Sequence, residues 1–222
     1  MVMDFFRGTA DSGLDSVEAK LVQMLVDGRD VYDAAMSTVL GTHTPKEVKK
    51  EVKGTDRGIN AMQQEIRREL VVHASVYGYA NLPSILTYMS IVKDAERVGD
   101  NAKNIFDLAK YGADFRGSAD QDELEHYRDV VSQLIQDAAD VFSARDSEKA
   151  QKLIDKADGF LDEYDAHVKA AFKFEGPSSE SVPRALYYRY LKRITAHLMN
   201  MMTSLVAPLD RLDYYDEAKD DR

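Results

Sequence analysis

The chain has no cysteine and no tryptophan among its 222 residues, and only 5 prolines and 12 glycines. Without cysteine there is no disulfide framework, no thiolate zinc or iron–sulfur site and no cysteine nucleophile. So few Pro and Gly leave little of the turn punctuation that a many-stranded β fold needs, and suit long helices. An excess of positive charge is missing as well: 29 Lys and Arg stand against 39 Asp and Glu, a net charge of −10. That balance speaks against sequence-independent nucleic-acid binding, which draws its affinity from cation–phosphate contacts, and against an anionic membrane surface as direct partner. No apolar run approaches the roughly 18–20 residues of a membrane span. Met1–Gly8, with a short apolar patch at Phe5 and Phe6 beside Asp4, lacks the pattern of a signal peptide. The expectation is a soluble cytoplasmic protein of one or two folded units, long enough to bury roughly 70% of its unfolded surface.

What is present is helical periodicity. Strict apolar–polar alternation is hard to find, whereas 3-and-4 spacing is everywhere. A first helix is predicted from about Ser16 to Leu40, led by Val17, Leu21, Met24 and Leu25, and is broken by Gly41–Pro45. Thr44-Pro45-Lys46-Glu47 has the form of a capping box with Pro at the first helical position. The second helix continues to about Ser75, with Val52, Thr55, Ile59, Met62 and Ile66 in step. Asn81 and Pro83 open a third, which can run to Tyr111. After the least periodic stretch, Gly112–Ala119, three more follow at about Gln121–Ser143, Ser147–Phe172 and Val182–Tyr214; the tail Asp213–Arg222 is mostly charged. Laying the sixth helix on the third with an offset of about 96, and the fifth on the second with an offset of about 102, aligns Arg97 with Arg193, Asn104 with Asn200 and Asp56 with Asp158. The expected architecture is all-α: a tandem pair of antiparallel three-helix bundles, residues 1–113 and 114–222.

Carboxylates interrupt the apolar faces. On the third helix one stripe reads Ile85, Met89, Val92, Glu96, Gly99, Lys103, Phe106, and Asp100 lies one turn beyond Glu96. Asp94 and Asp107 fall on other faces. A carboxylate entering a helix seam needs a compensating cation or hydrogen bonds, because an unpaired buried charge is prohibitively costly. Asp56 and Asn60, at i, i+4, flank the apolar stripe of the second helix. Two readings follow from the spacing. In one, these residues face each other and offer oxygen ligands suited to a hard divalent cation such as Mg²⁺, Mn²⁺ or iron. In the other, Glu96 and Arg97 are an exposed charged pair on a solvated face.

The segment Leu82-Pro83, followed by Met89–Ile105 with Asp94-Ala95-Glu96-Arg97-Val98-Gly99-Asp100 at its centre, resembles the signature of the PhoU family of phosphate-uptake regulators. Asp56–Ile66 resembles the family's preceding helix. The resemblance implies tandem three-helix bundles and an acidic motif, matched by Glu96 and Asp100, that binds a metal ion or cluster. Asp56 and Asn60 match the companion motif, with Asn in place of a second acid. The metal is left open among iron, manganese, magnesium and zinc. The implied role is cytoplasmic and non-enzymatic: restraint of phosphate import through the ATPase subunit of an ABC phosphate transporter, and action on a membrane sensor kinase. Adaptor work for a different transporter, with the metal as a structural staple, or a metal-dependent helical enzyme are the alternatives. The second half departs from the pattern, keeping Asp158 and Asp162 but carrying Lys192 where Glu96 stands and Ala196 where Asp100 stands. The expectation is one metal site in the first bundle and a Lys192 salt bridge to Asp158 and Asp162 in the second.

Other constellations are weaker. Glu69/His73 and Glu163/His167 are i, i+4 pairs, not the Glu-x-x-His spacing of di-iron bundles. His197 takes the place of Asn101 and is read as a surface residue. There is no Gly-x-x-x-x-Gly-Lys phosphate loop. Tyr187, Tyr188, Tyr190, Met199, Met201 and Met202 read as core. Lys46, Lys49, Lys50 and Lys53 read as a solvated face or an electrostatic contact to an acidic partner. Direct nucleic-acid partners and membrane insertion are not expected; if the chain self-associates, a homodimer is the commonest outcome.

Overall fold

The structure, a computed structural model, describes residues 12–212. The readings placed on Met1–Gly8 and on Asp213–Arg222 lie outside the described residues. Six long helices follow in order: α1 (Ser12–Val39), α2 (Pro45–Tyr77), α3 (Leu82–Lys110), α4 (Gln121–Ala144), α5 (Ser147–Ala171) and α6 (Ser178–Thr203). Short 3₁₀ turns occupy Gly78–Asn81 and Leu209–Arg211. Among the described residues there is no strand.

Local signals account for most of the boundaries. The backbone N–H of Thr44 donates to Glu47 Oε2 at 2.6 Å, tying off the first turn of α2. Asp146 caps α5 by accepting from the Lys149 backbone N–H at 3.0 Å. The sixth helix is shorter at its end than its periodicity suggests, stopping at Thr203 rather than Tyr214. Pro208 lacks an N–H to continue the ladder, and its ring would clash with the carbonyl of Ser204.

The helices form two antiparallel triplets, α1–α3 and α4–α6, each beginning up-down-up or down-up-down. In the first, α3 packs broadly on α1 and α2; in the second, α6 lies against α5 and α4. The triplets also meet along two seams, α3 on α6 and α1 on α4. The apolar core is accordingly continuous through all six helices, from Leu21 and Met36 through Ile105 and Phe106 to Ile135, Tyr187 and Met201. The stretch between the triplets belongs to it: Phe115 is buried, its N–H donates to the Val39 carbonyl at 2.9 Å, and its ring meets that of Tyr187 edge-on at 5.5 Å.

Two helical glycines set how closely the helices of the first triplet approach. A β-carbon at Gly28 of α1 would lie 3.2 Å from Val98 Cγ1, and one at Gly99 of α3 would lie 2.8 Å from Ile59 Cδ1 of α2. Gly99 therefore brings α2 against α3 at the level where the acidic residues stand.

Candidate functional site

Asp56 enters the α2–α3 seam because it follows Val52 by four residues and precedes Ile59 by three, on the buried edge of α2. Its carboxylate is only 12% exposed. Lys103, one turn after Gly99 on α3, reaches across and donates to Asp56 Oδ1 at 2.8 Å. The same ammonium lies 3.3 Å from Oδ1 of Asp100, which is half-exposed. Partial burial works against the charged form of Lys103. The hydrogen bond and charge of Asp56, with the charge of Asp100, outweigh that and hold its pKa above the ordinary lysine value. Asn60 turns inward along its own helix, its amide donating to the Asp56 carbonyl at 2.9 Å. Glu96 is buried, 7% exposed, and accepts from Lys93 at 2.5 Å.

The expected four-residue set is thus divided. Asp56 and Asp100 share one lysine, Glu96 is turned to another, and Asn60 satisfies backbone. Among the described residues, no three His, Asp or Glu side chains gather where they could hold a metal ion. As placed, the donor set does not fit a divalent metal, because Lys103 holds Asp56 and Asp100 and Lys93 holds Glu96. The physical reason lies in the stripe itself. Lys103 shares the face of Glu96 and Gly99, and a flexible four-carbon stem reaches an acid across a helix crossing.

In the second triplet Lys192 also enters a helix seam, but its ammonium donates to Asp165 Oδ2 at 2.6 Å, so the ion pair centres on Asp165 rather than on the expected Asp158 and Asp162. Asp158 is half-buried and Asp162 exposed. A lysine on the third helix of each triplet therefore reaches an aspartate on the second, at different positions along the pseudo-repeat.

A second polar cluster lies on the α3–α6 seam, between the triplets. Asp94, read as facing away from the site, is buried and lies 2.9 Å from Nδ1 of His197. A carboxylate can only accept, so Nδ1 carries the proton. Asn200 donates to the same Asp94 oxygen at 3.2 Å, and Arg193 Nε donates to Asn101 Oδ1 at 3.2 Å. His197, expected at the surface, is 7% exposed. The aligned positions Asn101 and His197 thus lie on facing helices of one antiparallel seam. The sequence signal available for this was the repeat itself, since pseudo-equivalent helices that pack together bring equivalent positions near their shared axis.

Glu18 makes a third junction, accepting from the Tyr88 hydroxyl of α3 and from Nε of Arg145, just past α4, at 2.8 Å. Arg145 has a left-handed φ of 50°, which ends α4 and aims its guanidinium back at α1.

With this geometry in place, the class is a tandem six-helix bundle with a continuous apolar core and partly buried ion pairs along its seams. Residues 21–109 match the PhoU domain. The chain is 26% identical over 200 residues to a phosphate-specific transport system accessory protein PhoU homolog from Pseudomonas putida, covering 85% of this chain and 75% of that one. It is 23% identical over 177 residues to the PhoU homolog of Aquifex aeolicus, covering 79% and 76%. The crystal structure of PhoU from Pseudomonas aeruginosa superposes with a TM-score of 0.76 at 23% identity, over 90% of this chain and 98% of that one. Residues 21–109 are thus similar to the PhoU domain, and the fold of the described residues is the all-α PhoU fold.

Proposed function

We propose that this protein is a cytoplasmic accessory regulator of phosphate transport and of phosphate-responsive signalling. It acts by binding the ATPase subunit of a phosphate ABC transporter, a membrane sensor kinase, or both, and shifting their conformational populations without catalysing a reaction. The observation that carries the reading is the PhoU domain at residues 21–109, set within a fold shared with a PhoU structure over nine-tenths of the chain. The relatives named above are accessory proteins of phosphate-specific transport. No helix among the described residues is long and apolar enough to cross a membrane. A divalent metal enters this reading only in competition with Lys103 for Asp56 and Asp100.

The test is deletion of the gene in its source organism, with phosphate uptake and a phosphate-responsive promoter followed in high and low phosphate. The expected result is uptake and promoter activity that stay high in abundant phosphate and are restored to normal by the full chain. Unchanged responses in both media would sink the phosphate reading and leave the PhoU fold standing.

A further inference from the structure

Among the described residues, the outward face of α2 gathers cations that hold no ion pair. Lys46, Lys49, Lys50, Lys53 and Arg57 are all exposed. At 3.6 residues per turn they fall within an arc of roughly 100°, and Arg68 continues the arc after Gln64. None of these six forms an ion pair or side-chain hydrogen bond among the described residues. Elsewhere Lys20, Lys93, Lys103, Lys110 and Lys192 each hold a carboxylate. The acids of α2 lie apart from the arc. Asp56 turns inward to Lys103, Glu65 and Glu69 are held by Lys20, and Glu47 is tied to Thr44. Glu47, Glu51, Glu65 and Glu69 sit about 100–140° round the helix from the centre of the stripe. The result is a stripe one helix wide and about 33 Å long from Lys46 to Arg68. It leads into an exposed apolar end at Val71, Val72, Val76 and Tyr79, the last 89% exposed.

We propose that this stripe is a docking surface for an acidic helical segment of a protein partner, with its cations steering and registering the segment and the apolar end anchoring it. Charge complementarity sets the chemistry, and width chooses among anionic partners. A membrane or a duplex nucleic acid presents a broad field of negative charge, which would meet the flanking glutamates and a chain of net charge −10. A single helix, about 10 Å across, lies within the stripe and avoids them. Exposed aliphatic and tyrosine side chains at one end supply the burial that surface ion pairs do not. The surface deepens the regulatory reading above and rests on it for the existence of a protein partner.

The test places a photo-cross-linking residue at the centre of the stripe, Gln64→benzoyl-phenylalanine, in the full chain within cells of the source organism grown in high and in low phosphate. Adducts are sequenced by mass spectrometry in three backgrounds: the parent, the triple variant Lys49→Glu/Lys53→Glu/Arg57→Glu, and the charge-matched control Lys152→Glu/Lys169→Glu/Lys173→Glu. All six lysines and arginines are exposed, and the circular-dichroism melt of each variant verifies its fold. The expected result is an adduct to a protein segment with a surplus of Asp and Glu at helical spacing, reduced at least tenfold by the stripe variant and unchanged by the control. Adducts to lipid or nucleic acid, adducts to a segment without acidic surplus, equal loss in the control, or no protein adduct in either medium would overturn it. A charge-dependent adduct to an acidic protein with no part in phosphate transport would leave the surface standing and remove the phosphate reading. A phosphate-transport partner cross-linked with no dependence on the stripe charges would do the reverse.

Discussion

At Lys103 one ammonium serves two carboxylates, and its value depends on burial. Asp56 is 12% exposed and Lys103 30%, so the pair is screened less than a surface salt bridge, while Asp100 adds a longer and more exposed contact. Lys103→Met keeps the stem packed on α2 and removes only the charge, which strands the Asp56 carboxylate in the seam. The expected loss is about 1–3 kcal/mol, read from urea denaturation at pH 7. Because the folded pKa of Lys103 is raised, its contribution is complete throughout the neutral range and is lost only as pH climbs past the ordinary lysine value of 10.5. The same variant opens Asp56 and Asp100 to an outside cation. Mn²⁺ should therefore raise the melting temperature of Lys103→Met and leave the parent unmoved; equal stabilisation of both would show that the lysine yields to metal.

Elements are joined by side chains that bridge one helix terminus to another helix. Asp120, at the N-cap of α4, takes both arms of the Arg184 fork from α6, Nε at 2.6 Å and Nη2 at 2.8 Å. The hydrogen bonds from Arg184 lower its pKa to about 2, against the smaller opposing effect of burial. A depressed carboxylate contributes its full stability above the unfolded pKa near 3.8 and loses it as pH falls toward 2. Arg184→Met should cost about 1–2 kcal/mol at pH 7, since the pair is bidentate but a third exposed. The difference between parent and variant, followed by denaturation from pH 6 downward, should shrink as pH drops from about 4 to 2. A gap that stayed constant over that range would mean the guanidinium acts by packing on Phe115, over whose ring it lies at 5.5 Å, and not by charge.

For the whole molecule, repeat architecture and thermodynamic independence are different things. The two triplets repeat one helix order, yet their core is continuous, and the α3–α6 seam brings His197 and Asn200 both onto the buried Asp94 carboxylate. Separating the triplets would expose these polar groups beside apolar surface and pull Phe115 from its pocket. The expected behaviour is one cooperative thermal transition with calorimetric and van't Hoff enthalpies that agree. Two resolved transitions would show that each triplet carries its own stability.

The sequence by itself determined the all-helical class, five of the six helices close to their observed bounds, the break after the first helix at Gly41–Thr44, and the resemblance to PhoU proteins through the Asp94–Asp100 segment. These are local properties: 3/4 periodicity, caps and breakers act within a few residues along the chain. It also placed Glu96 and Lys103 on the apolar stripe of the third helix and Asp56 on the flank of the second helix's stripe. Only the tertiary structure decided which charge meets which. Lys103 and Asp56 are 47 residues apart, and Asp94 and His197 are 103 apart. Periodicity specifies the side of a helix a residue occupies, but not the rotation and axial offset of the helix packed against it. A shift of one turn, about 5.4 Å, exchanges one partner for the next. That is how Lys192 came to Asp165, and how Asp56 and Asp100 came to share Lys103 while Glu96 turned to Lys93.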